Sequence, residues 1–382
     1  MAGMKIKYWL LLITLALACR DKYMPKLNTP LTGFLVVEGF INVGNGSSDF
    51  SLSRASGLDS VRIIPETGAQ LDVQSENGNS FPLTELGGGK YSVAQISVTM
   101  GQRYRLHIRT SNGKDYVSDY SSIKITPPID SVNWTADNEG VSIFVTTHDP
   151  QNQSVYYQWQ FEETWKYTSK YQSDYIYDGS NVLIRPDSLK IPYTCYQRDN
   201  STNISIASSA KLEADMISQF PLTKVLYATS NKMINRYSIL VKQSTLTKDW
   251  YEWKQKVKKN TEQLGSIFDA QPSETGGNIH CVTDPNESVI GFVACTTETE
   301  KRIFIDHSEI LSAHVYTGYE DCYELKHKNN PDSLAGISFQ NSAITSTIIG
   351  PGGGIDYVNI SSIGCVDCRL KGGDSTTPAF WY

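Results

Sequence analysis

Apolar and polar positions along this chain alternate far more often than they cycle with a helical period. From Arg103 to Arg109, Tyr104, Leu106 and Ile108 are interleaved with Arg103, Arg105, His107 and Arg109. That period of two predicts a half-buried strand with one apolar and one basic face. Asn112-Gly113 then turns the chain into Tyr116 to Tyr120, which predicts a hairpin closed by a type I′ turn. Upstream, Phe34 to Ile41 (FLVVEGFI) is apolar enough for a buried strand, and turn signals recur at Gly44-Asn45-Gly46, Asn77-Gly78 and Gly87-Gly88-Gly89. Downstream, Val141, Ile143 and Val145 alternate, as do Val155, Tyr157, Trp159 and Phe161, and then Tyr237, Ile239 and Val241 within Arg236 to Gln243. Two further strands are expected at Val289 to Cys295 and at Arg302 to Ile305.

Ile125-Thr-Pro-Pro-Ile129 interrupts this pattern with two prolines. Neither can donate to a sheet ladder, so a domain boundary belongs there. The expected architecture is mainly β: two immunoglobulin- or fibronectin-like sandwich units, one over residues 31–125 and one over 129–382. Tyr167 to Pro221 is polar, rich in tyrosine and weakly periodic, so residues 166–230 read as a long insertion in the second unit. One amphipathic helix is expected over 248–264, with Thr247 as N-cap, Gly265 at C′, and Trp250, Trp253, Val257 and Leu264 on the docking side. Gly350 to Gly354 reads as a flexible loop, and the closing Phe380-Trp381-Tyr382 is apolar enough to pack down on the body.

Composition narrows the class. The chain has 382 residues, of which 19% are charged and 11% aromatic, a balance that disfavours disorder and suits a tyrosine-rich β protein. Its formal net charge of −6 argues against nucleic acid, which calls for a basic stripe and a high pI. The amino terminus sets the expected compartment: Lys5 and Lys7 precede the apolar run Tyr8 to Ala18, which is too short to cross a bilayer and reads as an export signal. Cys19 follows small residues and resembles the lipidated cysteine of a bacterial lipobox, although Ala16 stands where such boxes usually carry Leu. Residues 1–19 are therefore expected to be a signal peptide ending at an acylated (palmitate-bearing) Cys19, and 20–30 a proline-containing tether to an outer-membrane, surface-facing anchor.

Cys195, Cys281, Cys295, Cys322, Cys365 and Cys368 remain, an even number for an exported protein. Up to three disulfides are possible, with fifteen connectivities left open. Cys365-Val-Asp-Cys368 lacks the second ligand pair of a zinc site and the βαβ context of a thioredoxin motif, so structural disulfides are favoured. None of the six histidines has metal-site spacing, no Gly-x-Ser-x-Gly elbow occurs, and Gly350-Pro-Gly-Gly-Gly354 lacks the Lys-Ser/Thr of a P-loop. No catalytic residue, metal or cofactor is therefore assigned. Tyr167, Tyr171, Tyr175 and Tyr177, placed in the insertion, are the ligand or partner candidates, because tyrosine is enriched at binding surfaces. The basic face of Arg103, Arg105 and Arg109 reads as solvated rather than as an anion site.

Several stretches together resemble the Bacteroidota outer-membrane lipoprotein family catalogued as domain of unknown function 4249. They are Phe34 to Ile41, Gly101 to Tyr120, Pro127 to Val132, Arg236 to Gln243, Gly265-Ser-Ile-Phe268, Gly277-Asn-Ile279, Val289 to Cys295 with Lys301-Arg-Ile-Phe304, and Cys365 to Trp381. The resemblance implies a surface or periplasmic lipoprotein, commonly encoded beside a TonB-dependent transporter, with no catalytic residues to carry over. The expected role is that of a membrane-anchored binding or accessory partner of such a transporter in nutrient uptake. A structural or adhesive surface lipoprotein is the alternative, and a surface hydrolase built on an Asp/Glu pair a third.

Overall fold

The computed structural model describes residues 33–55, 63–262, 276–310 and 314–382. Cys19, the tether and the end of the expected helix at Leu264 and Gly265 lie outside the described residues. The described chain is mainly β with two short α-helical elements.

The first unit places two sheets on one core. One contains Val289–Gly291, Leu35–Gly39, Ser48–Arg54, Lys90–Val93 and Thr84–Gly87; the other is centred on Arg103–Arg109. Leu35, Val37, Phe50, Leu52 and Tyr91 from the first meet Leu71, Val73, Tyr104, Leu106 and Ile108 from the second in a single buried cluster. Alternation produces this directly, since every second residue of each strand turns to the same side. Tyr104, Leu106 and Ile108 are all buried, as expected.

The hairpin after Arg109 is closed differently from expectation. Gly113 has φ 84° but Asn112 is not in the left-handed region that a type I′ turn requires at both central positions. Thr110 and Lys114 instead close a three-residue loop, with Gly113 N donating to Thr110 O at 2.9 Å. The Asn112 side-chain oxygen accepts from Thr110 Oγ1 at 2.7 Å, which holds the asparagine where it is.

The second unit also gathers two sheets on one core. Ile129–Ala136, Gly140–His148 and Met216–Leu226 form one; Thr194–Asn200, Tyr156–Thr168, Arg236–Thr245 and Glu298–Asp306 form the backbone of the other. Val141, Ile143 and Val145 pack against Tyr157, Trp159, Tyr237, Ile239 and Val241. Much of the region expected to be an insertion is sheet. Thr194–Asn200 and Ser205–Ser208 both pair with Tyr156–Thr168, and Met216–Leu226 pairs with Gly140–His148. Met216–Leu226 hides its period because Gln219 at φ 51° and a register shift interrupt the alternation, and Pro221 removes a donor.

The expected second unit of 129–382 also differs from the observed pairing. Ile279–Cys281 pairs with Asp115–Ser118, Val289–Gly291 runs parallel to Leu35–Gly39, and Cys295–Thr296 runs parallel to Ile41–Asn42 and Ser121–Lys124. The chain thus returns to the first unit before Glu298–Asp306 rejoins the second. A strand's own residues show which of its faces is apolar but not which neighbour completes its ladder, and here the neighbours lie over 150 residues away.

At the junction the prolines fall between strands, as expected. Thr126 Oγ1 accepts from Thr245 N at 2.9 Å, and Gln243 Nε2 donates to Pro127 O at 2.9 Å while its Oε1 accepts from Trp159 Nε1 at 2.7 Å. Helix α1 (Lys248–Glu262) closes the same junction. Thr247 caps it, accepting from Trp250 N at 3.2 Å, and Trp250 is buried among Phe40, Phe292 and Ala294 of the first unit and Leu246 and Tyr156 of the second.

A small third body projects from the second unit. The hairpin Tyr175–Tyr177 with Val182–Ile184 packs on the sheet Leu325–Lys328, Ile355–Ser362 and Ser342–Ile349, around Leu334, Ile344, Val358 and Ile360. The Gly350 to Gly354 loop is the turn of that sheet, with Gly350 N donating to Gly354 O.

Candidate functional site

The basic strand face is occupied by its own neighbours. Arg103 pairs with Glu76 at 2.5 Å, Arg105 donates to Gln74 at 3.0 Å and lies 4.8 Å from the Tyr120 ring, and His107 stands between Asp72 at 2.8 Å and Asp115 at 3.4 Å. Burial works against the charge of Asp72, but hydrogen bonds from His107, Gln74 and Ser80 outweigh it and hold its carboxyl below the usual range.

The four tyrosines separate. Tyr167 is fully buried and its hydroxyl donates to Cys368 O at 2.7 Å; burial pushes the phenol up to about 12. It is a core residue, not a ligand platform, because the inward parity that starts at Tyr157 continues through Glu163 and Trp165 to Tyr167 itself. Tyr171, Tyr175 and Tyr177 belong to the third body. Tyr171 donates to Cys322 O at 3.3 Å, Tyr175 and Tyr177 pack on its core, and Tyr177 sits 5.3 Å from Phe339.

Two disulfides tie this body down. Cys195 bonds Cys368 and Cys322 bonds Cys365, with Cα separations of 5.7 and 5.8 Å. The two halves of Cys365-Val-Asp-Cys368 therefore serve different bridges. Cys281 and Cys295 are free and buried, which corrects their candidacy. Cys281 is registered with Tyr116 and Cys295 with Ile123. Those partners are seven residues apart on one return segment, about 23 Å at ~3.3 Å per residue, against the roughly 7 Å limit for a bridge. Burial pushes the Cys295 thiol up to about 12, leaving it an inert apolar side chain.

A concavity lies at one end of the five-stranded sheet, under the closing tail. Tyr196, Lys166, Arg236 and Asp306 stand in cross-strand register on four adjacent strands. Their neighbours Trp165, Tyr237 and Ile305 point into the core, so this row points out. The tail is held above it by backbone bonds between Tyr196 and Asp374 at 2.8 and 2.9 Å. Gly373 lets it approach so closely: a Cβ there would lie 2.3 Å from the Tyr167 hydroxyl. Phe380 covers Arg302 at 3.6 Å, and Trp381 meets Tyr196 and Phe304 edge to face at 5.1 and 5.5 Å. The expected packing of the aromatic end is thus observed. Between tail, sheet row and the turn His307–Glu309 opens a cleft of about 730 Å³. None of its polar residues was singled out from the sequence, because they are contributed by segments from 166 to 382 with no common motif.

Comparison with known proteins places the family. The family model described as Domain of unknown function (DUF4249) matches residues 20–302, and the chain belongs to that family. The third body's sheet and the partners Cys322, Cys365 and Cys368 lie beyond the matched span. No curated protein matches in sequence. Among solved structures, chitinase ChiA74 from Bacillus thuringiensis is similar at 10% identity over 53% of this chain and 30% of the chitinase, with a TM-score of 0.16. At that score it carries no argument about fold or activity.

Proposed function

We propose that this chain is a lipid-anchored protein of the bacterial outer membrane, acylated at Cys19. Its body is two immunoglobulin- or fibronectin-like sandwiches, and it works as the binding partner of a TonB-dependent transporter in nutrient uptake. The lipobox-like amino terminus supports the anchor. Two disulfides suit an oxidising compartment, where such bridges persist. The observation that carries the partner role is the disulfide-stapled third body. It presents Leu183, Ile184, Tyr323, Leu325 and Ile349 to solvent, with Ile184 79% exposed. Large apolar side chains left exposed on one small body suit a contact surface.

The test replaces Leu183 and Ile184 together by serine in the full chain. Co-purification with the transporter encoded beside it should be lost while the thermal unfolding midpoint stays unchanged, since neither side chain is buried. Undiminished co-purification would refute the partner role, and an unmodified Cys19 thiol by mass spectrometry would refute the anchor.

A further inference from the structure

The cleft under the tail carries more unspent hydrogen-bonding capacity than its position requires. In the row that floors it, Arg236 is engaged: Asp306 lies at 3.3 Å, the Phe304 and Tyr382 rings at 4.6 and 4.9 Å, and the Tyr382 carbonyl accepts from it. Lys166 beside it has neither a carboxylate nor a hydrogen-bond partner among the described residues. Asn235 adds an amide nitrogen that is buried and unpaired. His307 donates from Nδ1 to Met233 O at 2.8 Å, since a carbonyl can only accept. That fixes the tautomer and leaves Nε2 of the neutral ring as an acceptor. Trp381 and the exposed ring of Tyr382 supply apolar walls.

The residues therefore offer an unneutralised ammonium, an imidazole acceptor and two aromatic rings around one opening, with the Asn235 amide sealed behind them. A free cation selects an anion. Donors mixed with an acceptor select a ligand with both hydroxyl and carbonyl-type oxygens, and ring walls select a flat-faced cyclic body. We propose that this cleft binds an acidic saccharide, a pyranose bearing a carboxylate. The carboxylate meets Lys166, a ring hydroxyl pairs with His307, and the sugar face lies on Trp381. A volume of about 730 Å³ falls within the ~300–1,000 Å³ of small-molecule sites and leaves room for more than one sugar unit. The proposal is independent of the third body's role as a contact surface, because the cleft lies on the sheet and tail.

The experiment is calorimetric titration of the full mature chain with trigalacturonic acid and, separately, with its neutral counterpart of the same linkage, α-1,4-galactotriose. Trigalacturonic acid should bind, and the neutral trimer at least tenfold more weakly. Lys166→Met should weaken the acidic trimer by about tenfold or more, the usual loss for a charge-assisted hydrogen bond, and leave the neutral one unchanged. Trp381→Ala should weaken both. Circular dichroism checks that each variant is folded, and Lys166→Arg, which keeps the charge, should retain most of the binding if Lys166→Met is lost to misfolding. No heat of binding with the acidic trimer at millimolar concentration, equal affinity for acidic and neutral trimers, or full affinity in Lys166→Met would each overturn the proposal.

Discussion

The two disulfides are nested, and their removal should have separable consequences. Cys195 and Cys368 are 173 residues apart and Cys322 and Cys365 are 43 apart, inside the larger loop. In the chain-entropy picture, loops of these lengths contribute about 5 and about 4 kcal/mol at 25 °C. With the inner bridge closed, the contour that the outer one must close shortens to about 130 residues, which lowers its share by only about 0.2 kcal/mol. The location of each effect follows from the packing. Cys195 is part of the second unit's core and Cys368 joins it there. The Cys195→Ala/Cys368→Ala variant should therefore lose about 4–5 kcal/mol from unfolding of the second unit and release the tail from Tyr196. Cys322 and Cys365 bound the segment that carries the sheet of the third body. The Cys322→Ala/Cys365→Ala variant should unprotect amides of 325–362 in hydrogen exchange while those of Arg103–Arg109 keep their wild-type rates. Urea unfolding with and without reductant gives the magnitudes, and hydrogen exchange read by mass spectrometry gives the locations. Equal loss of protection in Arg103–Arg109 and in 325–362, or no change in either variant, would show that the bridges do not act on the segments they join.

Other consequences are open to direct measurement. In the oxidised protein, alkylation under native conditions should miss Cys281 and Cys295, which are 4% and 0% exposed, and denaturation without reductant should expose both; labelling of either in the folded protein would contradict their burial. Glu287 gathers Tyr116 Oη at 2.7 Å, Arg54 at 3.3 Å and Lys114 onto the returning segment. Burial opposes its charge, but the bonds from Lys114 and Tyr116 outweigh it and hold the carboxyl below the usual 4.5. A depressed carboxyl stabilises the fold above its unfolded pKa and loses that effect as pH falls through the folded value. Glu287→Gln should thus cost about 1–3 kcal/mol at pH 7, and urea titrations should show the gap closing below about pH 4. Glu163 is a buried carboxylate bonded by Lys232 at 2.5 Å and Tyr237 Oη at 2.6 Å, so Lys232→Met strands a charge in the core. It should destabilise by about 3–5 kcal/mol, and the double variant with Glu163→Leu should recover most of that in the same titration. Trp250→Ala empties the contact between α1 and both units and should cost about 3 kcal/mol or more, measured as a lower thermal midpoint.

The sequence by itself determined the local grammar. Alternation in Arg103–Arg109, Gly140–His148, Tyr156–Thr168 and Arg236–Thr245 fixed strands and their inward faces, because side chains on a pleated backbone change sides at every residue. Thr247 and the tryptophans after it marked α1, and Pro127-Pro128 marked a break between strands, since each acts through its own backbone groups. What the tertiary structure alone decided is who pairs with whom. The return of residues 279–296 to the first unit, the choice of Cys368 over Cys281 as the mate of Cys195, and the row Tyr196, Lys166, Arg236 and Asp306 all bring together residues far apart in the chain. Side-chain period encodes a face and not a partner. Partners are set by how whole sheets stack and close their loops, so both bridges and the cleft came into view only with the fold.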